Sequence, residues 1–239
     1  MLKSLIKELK TISDKKQATI LKKFFKTGKG EYGEGDIFLG VTVPIVRSIA
    51  KKYYELNLDN IKELLSSKIH EERLCALLIL VENFKKNNDK NIFYFYLDNV
   101  QFINNWDLVD LSADKIVGKY LFDKPRDLLF KLARSDNLWE RRIAIISTFY
   151  FIKNNDFKDT LKISELLLND KHDLIHKAVG WMLRETGKRD LKIEEDFLRI
   201  HYKTMPRTML RYSIEKFDEK KRRKYLLGEI NSKPYNNFY

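Results

Sequence analysis

Four residues of the 239-residue chain fall at near-equal steps: Asp110, then Arg142, Lys177 and Arg211, separated by 32, 35 and 34 positions. One acid is therefore followed by a row of cations. Trp106 lies four residues before Asp110, Trp181 four after Lys177, Arg184 three after Trp181 and Arg207 four before Arg211. Residues three or four apart share a face wherever the chain is helical. Spaced cations suit a phosphate backbone, and tryptophans beside them can stack on a base or a sugar. Plainer readings stand next to this one. Trp106 and Trp181 would serve equally well as core residues, Asp107 could be the working acid, and Asp110 could be an ion-pair partner of Lys115 or Arg142.

Those spacings carry meaning only on helices, and the texture of the chain predicts helices almost throughout. Nine glycines and four prolines in 239 residues leave few tight turns. Apolar residues recur with helical period at Leu2, Leu5, Ile6 and Leu9, at Leu74, Leu77, Leu78, Val81 and Phe84, and at Ile143, Ile146, Phe149 and Tyr150. Two aromatic runs, 92–96 (IFYFY) and 148–152 (TFYFI), have strand-like composition, but neither has a partner strand bounded by hairpin signals, so both are expected to be helical. The exception is 27–40, where Gly28, Gly30, Gly33, Gly35 and Gly40 cluster. A mobile loop is expected there. It matches neither a dinucleotide fingerprint nor a phosphate-binding loop, because Gly28-Lys29 is not followed by Ser or Thr.

Internal repetition organises these helices. SKIHEERLCAL (67–77) superimposes on SDNLWERRIAI (135–145) at an offset of 68, matching Ser67 with Ser135, Glu72 with Glu140, Arg73 with Arg141 and Ala76 with Ala144. LLLNDKHDLIHKAVGWML (166–183) follows half that interval later, and the stretch around Asp107 to Asp110 fills the place between the first two. A period near 34 residues with two helices per unit predicts an all-α chain, an α-solenoid of stacked helical hairpins forming one domain over 1–239. One column of side chains would then line a concave, basic groove.

Composition narrows the partners. Lysine and arginine number 46 against 34 aspartate and glutamate, a formal charge of +12, which suggests an acidic partner such as nucleic acid. With 44% apolar residues the chain can enclose a core without disulfides or metal. The lone Cys75, inside the apolar run 74–81, reads as a core residue of a protein in a reducing compartment. No stretch approaches ~18 uninterrupted apolar residues, and the amphipathic start lacks a cleavage site, so a soluble, cytoplasmic protein without membrane contact is expected.

Four segments carry a family resemblance: NNWDLVDLSADKIVG (104–118), SDNLWERRIAI (135–145), HKAVGWMLRE (176–185) and KTMPRTMLRYSIEKF (203–217). They resemble the DNA alkylation repair glycosylases built from HEAT-like repeats, the AlkD family, over about residues 20 to 225. The resemblance implies a catalytic carboxylate at Asp110, sugar-flanking tryptophans at Trp106 and Trp181, and a groove arginine at Arg142. Lys177, Arg184, Lys203, Arg207 and Arg211 would be the DNA-binding cations. Asn105 stands where some relatives carry an aromatic residue.

The chemistry implied is hydrolysis of an N-glycosidic bond. Alkylation at N7 of guanine or N3 of adenine leaves a charged base that departs neutral, so what needs stabilising is the cationic sugar left behind. An ionised Asp110 supplies opposite charge and can orient the attacking water, while indole faces offer negative quadrupole to the same cation. The absence of a helix-hairpin-helix motif or a candidate Schiff-base lysine fits a monofunctional enzyme. With that reading go a monomer, no cofactor or metal, and double-stranded DNA containing alkylated bases as the expected partner. The alternative is a non-catalytic helical-repeat protein that binds damaged or branched DNA. Weaker candidates are His172 and His176 as a metal pair, the basic run 220–224 as a solvated helix face, and Pro206 in the first turn of a helix.

Overall fold

The structure, a computed structural model, describes residues 1–231. It divides into two compact units, Met1–Tyr120 and the chain from Leu121 onward. Among the described residues there is no strand, only one isolated bridge between Ile37 and Ile69. In the first unit the helices are α1 (Leu2–Thr11), α2 (Lys15–Phe24), α3 (Val43–Lys52), α4 (Leu58–Leu65), α5 (His70–Asn87), α6 (Lys90–Asp98) and α7 (Trp106–Asp110), followed by a π turn at Asp114–Gly118 and the short α8 (Lys119–Leu121) that leads into the second unit. That unit contains α9 (Asp127–Ala133), α10 (Leu138–Lys153), α11 (Lys158–Leu166), α12 (Asp173–Gly187), α13 (Leu191–His201), α14 (Arg207–Ser213) and α15 (Glu219–Leu227).

Helix boundaries follow from capping. The side chains of Asp14, Asn57, Asp89, Asn137, Asp190 and Asp218 each accept a backbone N–H of the first turn that would otherwise lack a partner. Asn88 and Gly228 stop α5 and α15 in the left-handed region, at φ 49° and 80°. Both aromatic runs are helical, in α6 and α10. In α10 residues 142–148 are buried on every side, so the helix lacks the one-sided apolar stripe of a surface helix. The same holds for α5, continuously buried from His70 to Val81. Cys75 is one of these core residues, fully enclosed, and burial with the nearby Glu72 pushes its thiol up to about 12.

In the first unit α3, α4, α6 and α7 all pack on α5, and α1 rests on α3 and α5. In the second, α10, α12 and α14 form a row in which α12 touches both neighbours, with α9 and α11 against α10 and with α11 and α13 against α12. Helix starts at Leu138, Asp173 and Arg207 lie 35 and 34 residues apart, and His70 precedes Leu138 by 68. The repeat period read from the sequence is therefore the spacing of structurally equivalent helices.

The repeated residues have a shared physical task. Ser67 Oγ accepts the amide of Ile69, and Ser135 Oγ that of Asn137, both at 3.0 Å. Arg73 Nη1 then donates to the Ser67 carbonyl at 2.7 Å, as Arg141 Nη1 does to the Ser135 carbonyl at 3.0 Å. In the third unit Asp170 accepts the His172 amide at 2.8 Å, and the His176 ring bonds the Asp170 carbonyl at 2.5 Å. A side chain six residues downstream thus ties each inter-helix turn to the helix that follows it.

The glycine-rich segment differs from the mobile loop expected. Gly28 and Gly30 amides donate to Glu31 and Glu34, each at 2.7 Å, and Ile37 exchanges backbone bonds with Lys68 and His70 at 2.9 and 2.8 Å. At its far end the Glu71 carboxylate accepts the amides of Leu39, Gly40 and Val41 at 2.9, 2.8 and 3.2 Å. Glycine is required at 40: its φ is +85°, and a Cβ would stand 2.1 Å from the Asp14 carbonyl oxygen. Gly28 and Gly30 thus serve turns within the segment, while residues 37–41 are bonded to the start of α5.

Candidate active site

Trp106 and Asp110 open and close α7, a single turn and a half long. Asn105, fully buried, caps it by accepting the Trp106 amide at 2.9 Å, which accounts for a small polar residue at that position. At the other end Ser112 Oγ bonds the Leu108 carbonyl at 2.5 Å and accepts from Tyr96 Oη at 3.0 Å. Asp107, Leu108 and Val109 are buried, whereas Trp106 and Asp110 are half-exposed. Of the two acids, Asp107 is therefore the structural one and Asp110 the one solvent reaches.

Trp106 is also held from its side. Its ring stacks on Phe25 at 5.2 Å with planes 22° apart and meets the edge of Phe24 at 5.7 Å. Phe25 stacks on Phe38 at 5.2 Å and lies 5.0 Å from His70, which stacks on Phe38 at 4.6 Å. His70 Nε2 bonds Asp107 Oδ2 at 2.8 Å, and its Nδ1 lies 3.5 Å from Asp36 Oδ2. Arg73 donates to Asp36 at 2.6 Å and to Asn104 at 3.0 Å, and Asn104 in turn donates to Asp36 at 2.9 Å. Burial alone would push the His70 ring below the usual histidine range. The charge and hydrogen bond of Asp107, with help from Asp36, overcome that and raise it to about 9. Burial works against Asp36 ionisation too, yet His70, Arg73 and Asn104 together hold its carboxyl below the ordinary range.

The second unit carries the other expected residues. Trp181 on α12 is half-buried; its Nε1 donates to Glu185 at 3.1 Å, and its ring centroid lies 5.7 Å from that of Phe149. Arg142, the groove arginine that the resemblance implies, is only 4% exposed, and its Nη1 donates to the Leu174 carbonyl of α12. A guanidinium there ties α10 to α12. Lys177 pairs with Asp173 at 2.7 Å, and Arg184 pairs with Glu215 and lies 3.5 Å from Glu185. Arg207 is exposed and donates to the Leu226 carbonyl at 2.8 Å, while Lys203 and Arg211 are exposed. Toward the C-terminus, then, the periodic cations pass from buried to accessible.

His172 and His176 have structural tasks. His172 Nδ1 caps α12 by accepting the Leu174 amide at 3.2 Å, and His176 closes the repeat turn described above. Pro206 sits one residue before α14, at its cap position, not within the first turn. In the run 220–224, Lys221 pairs with Glu195 and Arg222 with Glu219, and the remaining side chains are exposed, the solvated face expected.

Against protein-family models, residues 5–217 match the one described as DNA alkylation repair enzyme. The chain belongs to that family. All nine expected site residues, from Trp106 to Arg211, lie inside the matched span. No curated protein matches. Among solved structures, the chain is similar to one titled "Predicted DNA alkylation repair enzyme from Enterococcus faecalis", with a TM-score of 0.68 and 15% identity over 87% of this chain and 97% of that one. At that identity the likeness establishes the fold, an all-α helical-repeat architecture. Membership in the DNA alkylation repair family gives the protein a role in repairing alkylation damage and makes DNA its partner. Among the described residues no helix is long and apolar enough to cross a membrane.

In this member of the family, sequence reasoning missed the residues behind α7: His70, Asp36, Phe25 and Phe38. Only His70 left a trace, as an ionisable residue at the head of an apolar helix, because its partners are 34 and 37 residues away and come together only in the fold.

Proposed function

We propose that the protein is a monofunctional DNA glycosylase that excises cationic alkylated purines, of the 7-methylguanine and 3-methyladenine type, by hydrolysing the N-glycosidic bond. The observation that carries this reading is the exposure pattern of α7: the three central residues are buried, while Trp106 and Asp110 at its ends stay accessible on a turn anchored at both sides. A half-exposed carboxylate beside an indole is suited to a short-lived sugar cation. The carboxylate supplies charge, the ring supplies quadrupole, and neither needs a pre-bound cofactor. Asp110 also has the chemistry to orient the water that completes hydrolysis.

In the second unit, Trp181 is a partly accessible indole of the kind that stacks on a base or a sugar. For the phosphate contact, Arg211 and Lys203 suit the role better than the enclosed Arg142, since a cation must meet phosphate oxygens to release counterions. Duplex DNA is the substrate in this reading, bound by one monomer. A unit charge ~4 Å from the developing cation is worth about 4 kcal/mol in a partly solvated site, or roughly a thousandfold in rate. Asp110→Asn should therefore bind methylated duplex as the parent does while losing nearly all release of 7-methylguanine. Unchanged release would remove Asp110 from the mechanism, and intact binding with no release by the parent protein would make it a binder of damaged DNA.

A further inference from the structure

His70 is 2% exposed and sits where three parts of the first unit meet. Asp107 faces it from α7, Asp36 from the segment ahead of Phe38, and Arg73 from its own helix, while α2 ends in the ring of Phe25. The neighbouring Glu71 is engaged by three loop amides. Asp107 is 5% exposed, and its Oδ1 has no hydrogen-bond partner among the described residues, so His70 supplies the one bond seen to that carboxylate. A buried carboxylate stripped of its cationic partner is strongly unfavourable, and α7 would have to shift to expose it. His70 reaches the same helix by a second path, through rings: it contacts Phe25, and Phe25 stacks on Trp106. Both routes end on the residues flanking the accessible face of α7.

We propose that His70 is a positioning residue: by bridging Asp36 and Asp107 it fixes α7, and with it Trp106 and Asp110, in the arrangement that base release requires. The inference rests on the glycosylase reading for the reaction it serves, but the clamp itself is a property of the fold. Its operation is pH-dependent with a definite sign. The ring carries its proton up to about pH 9, so the clamp is closed at neutral pH and opens as the proton leaves. No step in the chemistry uses that proton.

The test pairs two readouts on the full chain. The first is NMR titration of the His70 ring, followed together with the Trp106 indole and the Asp110 amide. His70 should titrate near 9, and both α7 signals should move with it. The second is single-turnover release of 7-methylguanine from methylated duplex between pH 7 and 9.5. The parent rate should fall as His70 deprotonates. His70→Gln keeps an N–H donor but never carries charge, and should be about tenfold slower at pH 7.5, bind DNA unchanged, and lose that decline. Should that variant not fold, Asp107→Asn retains His70 and should return its titration toward 6.5. Titration of His70 near 6.5 in the parent, α7 signals that ignore it, or identical rate profiles for parent and His70→Gln would each overturn the proposal. Absence of release by the parent at every pH, with the α7 signals following His70, would support the clamp and refute the glycosylase reading instead.

Discussion

Raising the pH through the weakly alkaline range should cost the folded protein about 3 kcal/mol through His70 alone. The ring goes from the ordinary 6.5 in the unfolded chain to about 9 in the fold, and each pH unit of such a difference is worth roughly 1.4 kcal/mol. Between those two values the folded state holds a proton that the unfolded state has released, so stability falls as pH rises. The contribution is fully present below about 6.5 and gone above about 9. A second group tilts the same way: burial pushes the Glu194 carboxyl from 4.5 up to about 9, with Glu195 adding to it, so its folded form also keeps a proton the unfolded chain gives up. The parent slope therefore contains both, and the difference between parent and His70→Gln isolates the first. Urea unfolding at half-unit steps from pH 6 to 9.5 measures it. The stability advantage of the parent should shrink by about 3 kcal/mol across that range. An advantage that stays flat within about 0.5 kcal/mol would show that His70 is not held as an ion pair, and the reasoning from Asp36 and Asp107 would be refuted.

Three further outcomes follow from the second unit. Glu194→Gln should stabilise the protein at pH 8 by on the order of 1–3 kcal/mol and leave it unchanged near pH 4, as read by urea midpoints, because the amide removes the cost of the proton that the buried carboxyl must take up on folding at that pH. Gly180→Ala should destabilise by about 1–3 kcal/mol. Its Cβ would lie 2.5 Å from both the Met209 carbonyl oxygen and the Tyr212 Cβ, forcing α12 from α14, and calorimetry should show a fall of roughly 3–10 °C in Tm. Arg211→Ala should weaken duplex binding equally for all sequences and lower the slope of log Kd against log salt by about one, whereas a buried arginine role would leave that slope intact.

Much of the architecture was legible because it is periodic. The interval between Ser67 and Ser135 and between Arg73 and Arg141 marks equivalent turns of α5 and α10, and the serine–arginine pair recurs because the same turn must be tied each time. Trp106 and Asp110 were legible as a pair for a similar reason: four residues on a helix share a face. Exposure was not. Arg142, Lys177 and Arg211 keep register along the chain, yet Arg142 is taken into the α10–α12 packing while Arg211 remains in solvent, a distinction set by neighbours from other helices. The glycine cluster misled because clustered glycines serve mobility and tight turns alike, and only the Glu71 carboxylate beneath residues 39–41 decides for turns here. His70 stayed hidden since its partners, Asp36 and Asp107, are remote in sequence and adjacent in space.

Methylated duplex DNA incubated with the parent protein and with Asp110→Asn, followed by quantification of free 7-methylguanine, bears most directly on what the protein does. The parent should liberate the modified base and leave an abasic strand uncut, and the variant should be roughly a thousandfold slower at equal DNA occupancy. Equal rates from the two proteins, or strand cleavage accompanying release, would contradict a carboxylate on α7 acting on a sugar cation.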